Sequence, residues 1–272
     1  AASGVVTAGL ESNSPILIAR SEYGRLRIGP GEIIPGETFA VGFFFDALKG
    51  LEGYADLIAE TNNADPRPIP SGYCTWYSNP HGGASDQEHM AQLARFCGEE
   101  LVPFGFEVLQ IDDKWQIASR DYTTHNPNGP YPDGMKPTAE TIAANEMTAG
   151  IWYIPFGWNH ERDKFADHQD WFVHRADGSP YTVHWAGTCL DMTHPRARDF
   201  LRETVSRMSR EWGYKYMKID GLWTGMAAKI TYPRPTYKPD GLGDAVFHDP
   251  NTTNLQAYRS GLRLVREADR KS

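Results

Sequence analysis

Short apolar runs alternate along this chain with segments in which apolar residues recur every three or four positions. The runs have the length and composition of buried strands, and they lie at residues 72–77, 106–112, 149–155 and 214–220. The periodic segments predict amphipathic helices, which begin near Ser85, Pro137, Pro195 and Leu255. Strands that alternate with helices predict a parallel sheet with right-handed crossovers.

Local signals predict the ends of several of these elements. Ser85 and Glu88 have the spacing of a capping box at the start of the first helix, and Pro137 is expected as the first residue of the second. Gly213 is expected to end the third helix. A tight hairpin turn is predicted at residues 176–178.

The first 71 residues have a different pattern. Apolar runs at 16–18 and 39–45, separated by Gly and Pro, predict β structure over residues 1 to 45. Asp46 is expected to cap a helix whose apolar face lies within 48–58. We therefore expect residues 1–60 to comprise β structure and a connecting helix, and residues 61–71, with three prolines, to form a linker.

The fold class that this pattern predicts is α/β, with a (β/α)8 barrel of the TIM type of which only the first half is present. A whole barrel takes about 250 residues, whereas residues 72–272 hold four strands, so we expect them to form the first four βα units. A complete four-stranded open α/β domain is the alternative, disfavoured because no strand follows the last helix. Half a barrel exposes two sheet edges, so this piece alone is expected to be inactive and poorly soluble unless another segment completes it.

Composition narrows the choice of partners. The 272 residues carry a net charge of −8, which argues against nucleic acid and anionic membrane as partners. The three cysteines include no CxxC pair, so neither a disulfide framework nor a zinc site is predicted. No apolar run is long enough to span a bilayer, no cofactor is expected, and the pattern predicts no cellular compartment.

Acidic and aromatic residues stand at the ends of all four predicted strands. They are Trp76, then Asp112 and Asp113, then Trp152, then Asp220, with the basic Lys218 two residues before it. In parallel α/β folds the site lies beyond the carboxyl ends of the strands, so this recurrence favours a binding or catalytic site over core packing. Carboxylates bind sugar hydroxyls and indoles cover the apolar face of a sugar ring, so a carbohydrate site is the function that these residue types indicate.

Lys218 and Asp220 are two residues apart and point to the same side of the fourth strand. Both are costly to bury unless they pair with each other or with a ligand. A neighbouring ammonium would keep the carboxylate ionised, as the nucleophile of a glycosidase must be. A structural ion pair at a strand end is the alternative interpretation.

Other polar residues near the strand ends have competing interpretations. Asp112 and Asp113 could hold a metal, but Lys218 would repel a cation and the histidines lack ligand spacing, so no metal is predicted. His160 and Arg162 follow the third strand and are interpreted as loop surface rather than site lining. Asp191 is interpreted as a buried cap or turn residue.

Six motifs, in order over residues 72 to about 225, together resemble one family, the α-galactosidase clan. They are Gly72–Tyr77, Gln110–Gln116, Pro132–Met135, Gly150–Trp152, Leu190–Pro195 and Lys218–Asp220. They are most similar to glycoside hydrolase family 36, which includes the α-galactosidases and the raffinose-synthase-like enzymes. By this resemblance, the segment before the linker is similar to the tail of an N-terminal β-sandwich domain.

The resemblance implies a retaining mechanism on α-linked galactosides, with an oligosaccharide or glycoside as the substrate. Asp220 matches the nucleophile and Lys218 a sugar-binding lysine, while Asp112 and Asp113 match the pair that holds the 4- and 6-hydroxyls. The aromatic wall of the pocket is matched by Trp76 and Trp152. Family members often form oligomers, so a homo-oligomer is an open expectation.

The resemblance also leaves parts of the function open. The family's acid/base carboxyl lies near the sixth strand, so it is expected in the second half of the barrel, and no residue of this chain is assigned to it. Lys114 stands where the family often has Gly, and Gly221–Trp223 depart from the residues usual after the nucleophile. A transglycosylase of the raffinose-synthase type and a non-catalytic sugar-binding protein are therefore kept as alternatives, and a metal-dependent hydrolase as a weaker one.

Overall fold

The computed structural model describes residues 3–65, 67–77, 83–228 and 244–270. Its strands, in chain order, are β1 (Ser3–Glu11), β2 (Ser14–Glu22), β3 (Ser71–Cys74), β4 (Phe106–Ile111), β5 (Gln116–Ala118), β6 (Asp121–His125), β7 (Thr148–Tyr153), β8 (Gly157–Trp158), β9 (Thr182–Val183), β10 (Gly187–Cys189) and β11 (Tyr216–Ile219). Its α-helices are α1 (Ala47–Thr61), α2 (Gln87–Glu100), α3 (Met135–Ala144), α4 (Pro195–Ser206) and α5 (Asn254–Arg270).

The central feature is a parallel sheet of four strands in the order β3-β4-β7-β11. These are the four strands that the apolar runs predict. Each new strand is added beside the previous one, as in a barrel, whereas a doubly wound sheet reverses its order at a switch point. The sheet is therefore consistent with part of a parallel α/β barrel.

The helices cover the sheet with the apolar faces that the periodicity predicts. The main core joins strand residues such as Leu109 and Ile151 to helix residues such as Met90, Ile142 and Leu201, all fully buried. α4 continues as a π-helical turn over Arg207–Glu211 and the chain turns at Gly213, with a positive φ of 89°, so the predicted end of this helix is confirmed.

Two helix starts differ from the prediction. The N-cap of α2 is Asp86, whose side chain accepts from the backbone N–H of His89, while Ser85 lies outside the helix with φ of 59°. The predicted capping box is therefore wrong, because the neighbouring carboxylate takes the cap position. α3 begins at Met135 rather than Pro137, since a proline fits anywhere in the first turn, where its missing N–H has no acceptor to lose.

The amino-terminal part contains less β structure than expected. β1 and β2 form one antiparallel hairpin, and α1 follows Asp46, whose side chain caps it as predicted. Residues 39–45 form no strand, which corrects the expectation of β structure there, because no neighbouring strand pairs with them. None of the helices in the described residues is long and apolar enough to cross a membrane.

The insertion between β7 and α4 includes the predicted tight turn. The backbone N–H of Arg175 donates to the carbonyl of Ser179 (2.7 Å), and His174 bridges to Pro180 across the turn. A small antiparallel sheet in the order β8-β10-β9 then lies beyond the end of β7. This sheet brings Trp185 towards the carboxyl ends of the barrel strands.

Candidate active site

The register of the sheet aligns two rows of residues near its carboxyl edge. Cys74 pairs with Gln110 and Gln110 with Gly150 in one row, and Trp152 pairs with Lys218 in the row two residues further along the strands. A Cβ on Gly150 would stand 2.8 Å from Cβ of Gln110, so glycine makes room there for the Gln110 side chain. Because side chains alternate along a strand, the even-numbered residues share the inner face of the sheet.

Asp112 is the most buried charge of the site. Its side chain is 3% exposed, and one oxygen, Oδ2, accepts from Lys218 Nζ (2.7 Å), Gln110 Nε2 (3.0 Å) and the Cys74 thiol (3.1 Å). Oδ1 accepts from the backbone N–H of Asp113 (2.9 Å). Asp112 is thus a fully bonded anchor for Lys218 and for the chain that carries Asp113.

Lys218 therefore pairs with Asp112, and not with Asp220 as the strand spacing led us to expect. The spacing of two residues places both side chains on one face, but the neighbouring strand brings a carboxylate closer to the ammonium. Burial raises the pKa of Asp112, but the hydrogen bonds from Lys218, Gln110, Asp113 and Cys74 outweigh it, so the pKa lies below its ordinary value. Burial lowers and Asp112 raises the pKa of Lys218, with a net shift upward.

Asp113 offers a carboxylate oxygen to the pocket. Its Oδ1 accepts from the backbone N–H of Lys114 (2.9 Å) and from Gln116 Nε2 (2.7 Å), whereas no described residue hydrogen-bonds to its Oδ2. Lys114 has a φ of 89°, in the left-handed region that favours glycine, so this lysine has a strained backbone conformation. Of the two neighbouring carboxylates, Asp113 is the one with an open acceptor.

Asp220 follows β11 and is oriented by two N–H donors. The Trp152 indole donates to Oδ2 (3.1 Å), and the backbone N–H of Gly221 donates to Oδ1 (2.7 Å). Gly221 has a φ of 58°, and a Cβ there would lie 3.0 Å from Ile154. The backbone turn that delivers this second N–H therefore requires glycine.

The two predicted aromatic residues lie in different surroundings. Trp152 is 3% exposed, packs edge-on against Tyr122, and reaches the site through its indole N–H. Trp76 lies in a 3-10 turn after β3 and is 45% exposed, and among the described residues no hydrogen bond or ring contact joins it to the other predicted site residues. The structure thus brings together Asp112 with Lys218 and Trp152 with Asp220, while Trp76 stands apart.

Sequence reasoning missed several residues of the site. Cys74 and Gln110 contact Asp112, Gln116 holds Asp113, and Arg120 lies over the rings of Trp152 and Trp185 (5.9 and 5.3 Å to the centroids). A signal existed for Cys74 and Gln110, because both precede predicted strand ends on the inward side. Arg120 follows a short hairpin strand that no apolar run predicts.

Arg162 and His160, interpreted as loop surface, and Asp191, interpreted as a buried cap or turn residue, have contacts outside the predicted site residues. Arg162 pairs with the fully buried Asp121 (3.2 Å), and His160 Nδ1 lies 2.7 Å from the Thr188 hydroxyl. Asp191 is buried and accepts from the backbone N–H groups of Thr193 and His248, and burial raises its pKa. Within the described ranges, no group of three or more His, Cys, Asp or Glu is arranged to hold a metal ion.

Comparison with known proteins gives a consistent family. The family model described as Melibiase matches residues 85–233. The A type blood alpha-D-galactosamine galactosaminidase of Flavonifractor plautii is 25% identical over 225 residues, or 75% of this chain and 20% of that protein. Alpha-galactosidase 2 of Pediococcus pentosaceus is 22% identical over 191 residues, or 66% of this chain and 24% of that protein. The chain thus spans about a fifth to a quarter of the length of these curated relatives.

Solved structures agree in fold. The α-galactosidase of Thermus thermophilus in complex with stachyose superposes with a TM-score of 0.55 and 25% identity, over 79% of this chain and 42% of that one. A family 36 α-galactosidase of Geobacillus stearothermophilus gives a TM-score of 0.52 and 19% identity, over 75% of this chain and 26% of that one. The fold is thus similar to that of a family 36 α-galactosidase. With a family model that matches more than half of its length, this chain belongs to the Melibiase family, as its resemblance to the α-galactosidase clan predicted.

Proposed function

We propose that this chain acts in the retaining hydrolysis of α-linked galactosides, with Asp220 as the nucleophile. The observation that carries the proposal is the double anchoring of the Asp220 carboxylate, by the Trp152 indole N–H and the Gly221 backbone N–H, at the carboxyl end of a parallel strand. In this fold the carboxyl ends of the strands form the site. The named activities of the relatives, an α-galactosamine galactosaminidase and α-galactosidases, support the substrate class.

Asp220 is expected to attack the anomeric carbon from the face opposite the leaving group. The new bond joins a carboxylate oxygen to that carbon, the glycosidic C–O bond breaks, and the leaving oxygen takes a proton from a general acid. The deprotonated form of that general acid then takes a proton from water, whose oxygen displaces the carboxylate with a second inversion, so the α configuration is kept overall. Retention needs a second carboxyl group about 5–5.5 Å from the first, and the proposal assigns no residue to that role.

Galactose binding is expected to involve the open side of Asp113, the ammonium of Lys218 and the exposed face of Trp76. Asp113 Oδ2 can accept from a sugar hydroxyl, and Lys218 has a third N–H group beyond those that it donates to Asp112 and to the Cys74 sulfur. Trp76 is the one of the two predicted indoles with an exposed ring. Asp112, whose Oδ2 accepts three protein donors, is expected to act mainly by holding Lys218 and Asp113 for the sugar.

We further propose that the architecture extends beyond the sheet described above. Residues 72–272 would form the first four βα units of a (β/α)8 barrel, with residues 1–60 at the end of an N-terminal β-sandwich and residues 61–71 as the linker. The order of the four strands supports the barrel, since it follows the chain without reversal.

The stereochemistry of the first product tests the proposed reaction in the intact protein. With an aryl α-galactoside, proton NMR at early times is expected to show α-galactose before mutarotation, and Asp220→Asn is expected to reduce kcat at least a thousandfold. Asp163→Asn, in the insertion after β8, is a control expected to leave the rate unchanged. β-Galactose as the first product would exclude retention, dominant transfer products at low acceptor concentration would indicate a transglycosylase, and saturable galactose binding without turnover would indicate a sugar-binding protein.

A further inference from the structure

Arg120 has a backbone conformation that its side-chain type disfavours. It lies in the two-residue turn between β5 and β6, where Ala118 pairs with Asp121, and its φ is 59°. The left-handed region is favoured for glycine, and to a lesser extent for Asn and Asp, because a Cβ there crowds the following carbonyl oxygen. A strained backbone of this kind persists where the surrounding structure over-determines it, and active sites are among the places where such residues cluster.

The Arg120 side chain is almost enclosed and makes contacts with three separate segments. It is 16% exposed, and its Nε donates to the backbone carbonyl of Trp185 at 2.6 Å. Its Nη1 lies 3.9 Å from Asp113 Oδ1, and its guanidinium carbon lies 5.9 Å from the Trp152 ring and 5.3 Å from the Trp185 ring. A planar cation can contact a carboxylate and two aromatic faces at once, which neither lysine nor a neutral residue can do.

Each of these three neighbours leads to the candidate active site. Trp152 donates to Asp220, and Asp113 carries the open acceptor oxygen. Trp185 packs edge-on against Trp223 at 5.4 Å, and Trp223 lies three residues after Asp220. Arg120 thus connects the walls of the pocket without contacting the nucleophile, and among the described residues no hydrogen bond joins it to Asp220.

We propose that Arg120 is a positioning residue of the galactose site, which holds Asp113, Trp152 and Trp185 in the arrangement that binds the sugar. This inference rests on the proposed function, because it assumes that these residues bind a galactoside. The alternative is that Arg120 only stabilises the fold. These two interpretations predict different results for Arg120→Gly, because this substitution removes the side chain and relieves the backbone strain at the same time.

The test is Arg120→Gly in the intact protein, with galactose affinity measured by calorimetry and stability by thermal unfolding. A positioning role predicts a rise of at least tenfold in the galactose dissociation constant, with a melting temperature within about 4 °C of the unsubstituted protein. Arg120→Lys keeps the charge but loses the planar fork, so it is expected to recover only part of the affinity. Glu146→Gly is the matched control: Glu146 is exposed after α3 with φ of 61°, so the same relief of backbone strain should leave galactose affinity unchanged.

Three outcomes would overturn the inference. Unchanged galactose affinity in Arg120→Gly would show that the side chain does not position the site, and would leave the proposed function intact. A failure to fold, or a fall in melting temperature well beyond that limit, would make Arg120 a structural residue. If the unsubstituted protein bound no galactose, the proposed function and this inference would both fail, so the two failures are distinguishable.

Discussion

At the scale of single residues, the candidate site depends on where hydrogen-bond donors point. The Asp220 carboxylate has one donor on each oxygen, from Trp152 and from Gly221, and the second donor exists because the chain adopts a left-handed turn immediately after Asp220. Asp112 is different, because three side-chain donors meet on one of its oxygens. Geometry therefore assigns different tasks to carboxylates that sequence alone makes look alike.

Gly221→Ala is expected to lower both stability and activity. A Cβ at this left-handed position costs about 1–2 kcal/mol and also crowds Ile154 at 3.0 Å. Movement of the Gly221 N–H would misplace Asp220, the proposed nucleophile, and a displacement near 1 Å can cost about a hundredfold in rate. The measurement is kcat together with urea unfolding.

The control for this prediction is Gly178→Ala. Gly178 has a φ of 85°, lies in the hairpin turn of the insertion, and has no heavy atom within 4 Å of the place that a Cβ would take. The backbone penalty should be similar, with no change in kcat. Equal kcat values for Gly221→Ala and Gly178→Ala would contradict the role given to the Gly221 N–H.

Lys218→Met is expected to make stability more sensitive to acid. The depressed pKa of Asp112 contributes stability that is present above the ordinary carboxyl value of 3.8 and is lost as pH falls through the folded-state pKa. The raised pKa of Lys218 contributes stability that is lost only as pH rises above 10.5. Without Lys218, the loss of stability on acidification should begin at a higher pH; this part of the curve of stability against pH is called the acid limb below. The free energy of unfolding at pH 7 should fall by about 1–3 kcal/mol, a range set below that of a fully buried pair because the Lys218 side chain is 35% exposed.

Urea unfolding between pH 2.5 and 7 measures this shift. Lys215→Met is the control, because Lys215 Nζ donates to the backbone carbonyl of Ser209 and not to a carboxylate. Its acid limb should coincide with that of the unsubstituted protein. An acid limb of Lys218→Met that also coincided would show that the ion pair with Asp112 does not set the Asp112 pKa.

At the scale of elements, the Leu190–Pro195 motif links two segments of the chain through hydrogen bonds. Asp191 Oδ1 accepts from the backbone N–H and hydroxyl of Thr193, and its Oδ2 accepts from the backbone N–H of His248 (2.6 Å). The Thr193 hydroxyl in turn accepts from the backbone N–H of Asp249. The motif therefore joins the start of α4 to the segment that leads into α5.

Asp191→Ala is expected to destabilise the protein by about 2–3 kcal/mol, because it leaves buried N–H groups without acceptors. Asp191→Asn keeps an oxygen acceptor and is expected to cost less. Urea unfolding measures both changes. Equal and small losses for the two variants would show that the buried acceptor does not hold these segments together.

The elements were predictable where they depended on periodicity, and less so where they depended on long-range contacts. α2, α4 and α5 follow from their apolar spacing, and the four strands from their apolar runs. The cap at Asp86 was missed because Ser85 offers the same local pattern one residue earlier. The pairing of Lys218 with Asp112 joins residues 106 positions apart, so no local pattern encodes it.

At the scale of the whole molecule, the described structure is unevenly packed. The barrel strands and their helices share one core, whereas α1 has no buried residue and presents Leu48 and Leu51 to solvent at 70% and 64% exposure. In the sheet, β4 and β7 each pair on both sides, while β3 and β11 pair on one side within the described residues. Local stability should follow this pattern.

Hydrogen exchange measured by mass spectrometry on the isolated protein checks this expected difference in local stability. Amides of β4 and β7 are expected to exchange most slowly, those of β3 and β11 faster, and those of the β1–β2 hairpin and α1 fastest. Protection of α1 equal to that of β7 would contradict the account, and would show that the exposed face of α1 is covered in solution.

Trapping of the covalent intermediate would decide whether Asp220 is the nucleophile of a retaining galactosidase, as proposed above. The intact protein is incubated with an activated 2-deoxy-2-fluoro-galactosyl reagent, and the labelled protein is digested and mapped by mass spectrometry. We expect one label, on the peptide that contains Asp220, and none in Asp220→Asn. A label on another carboxylate, or no label in a protein that binds galactose, would contradict this proposal.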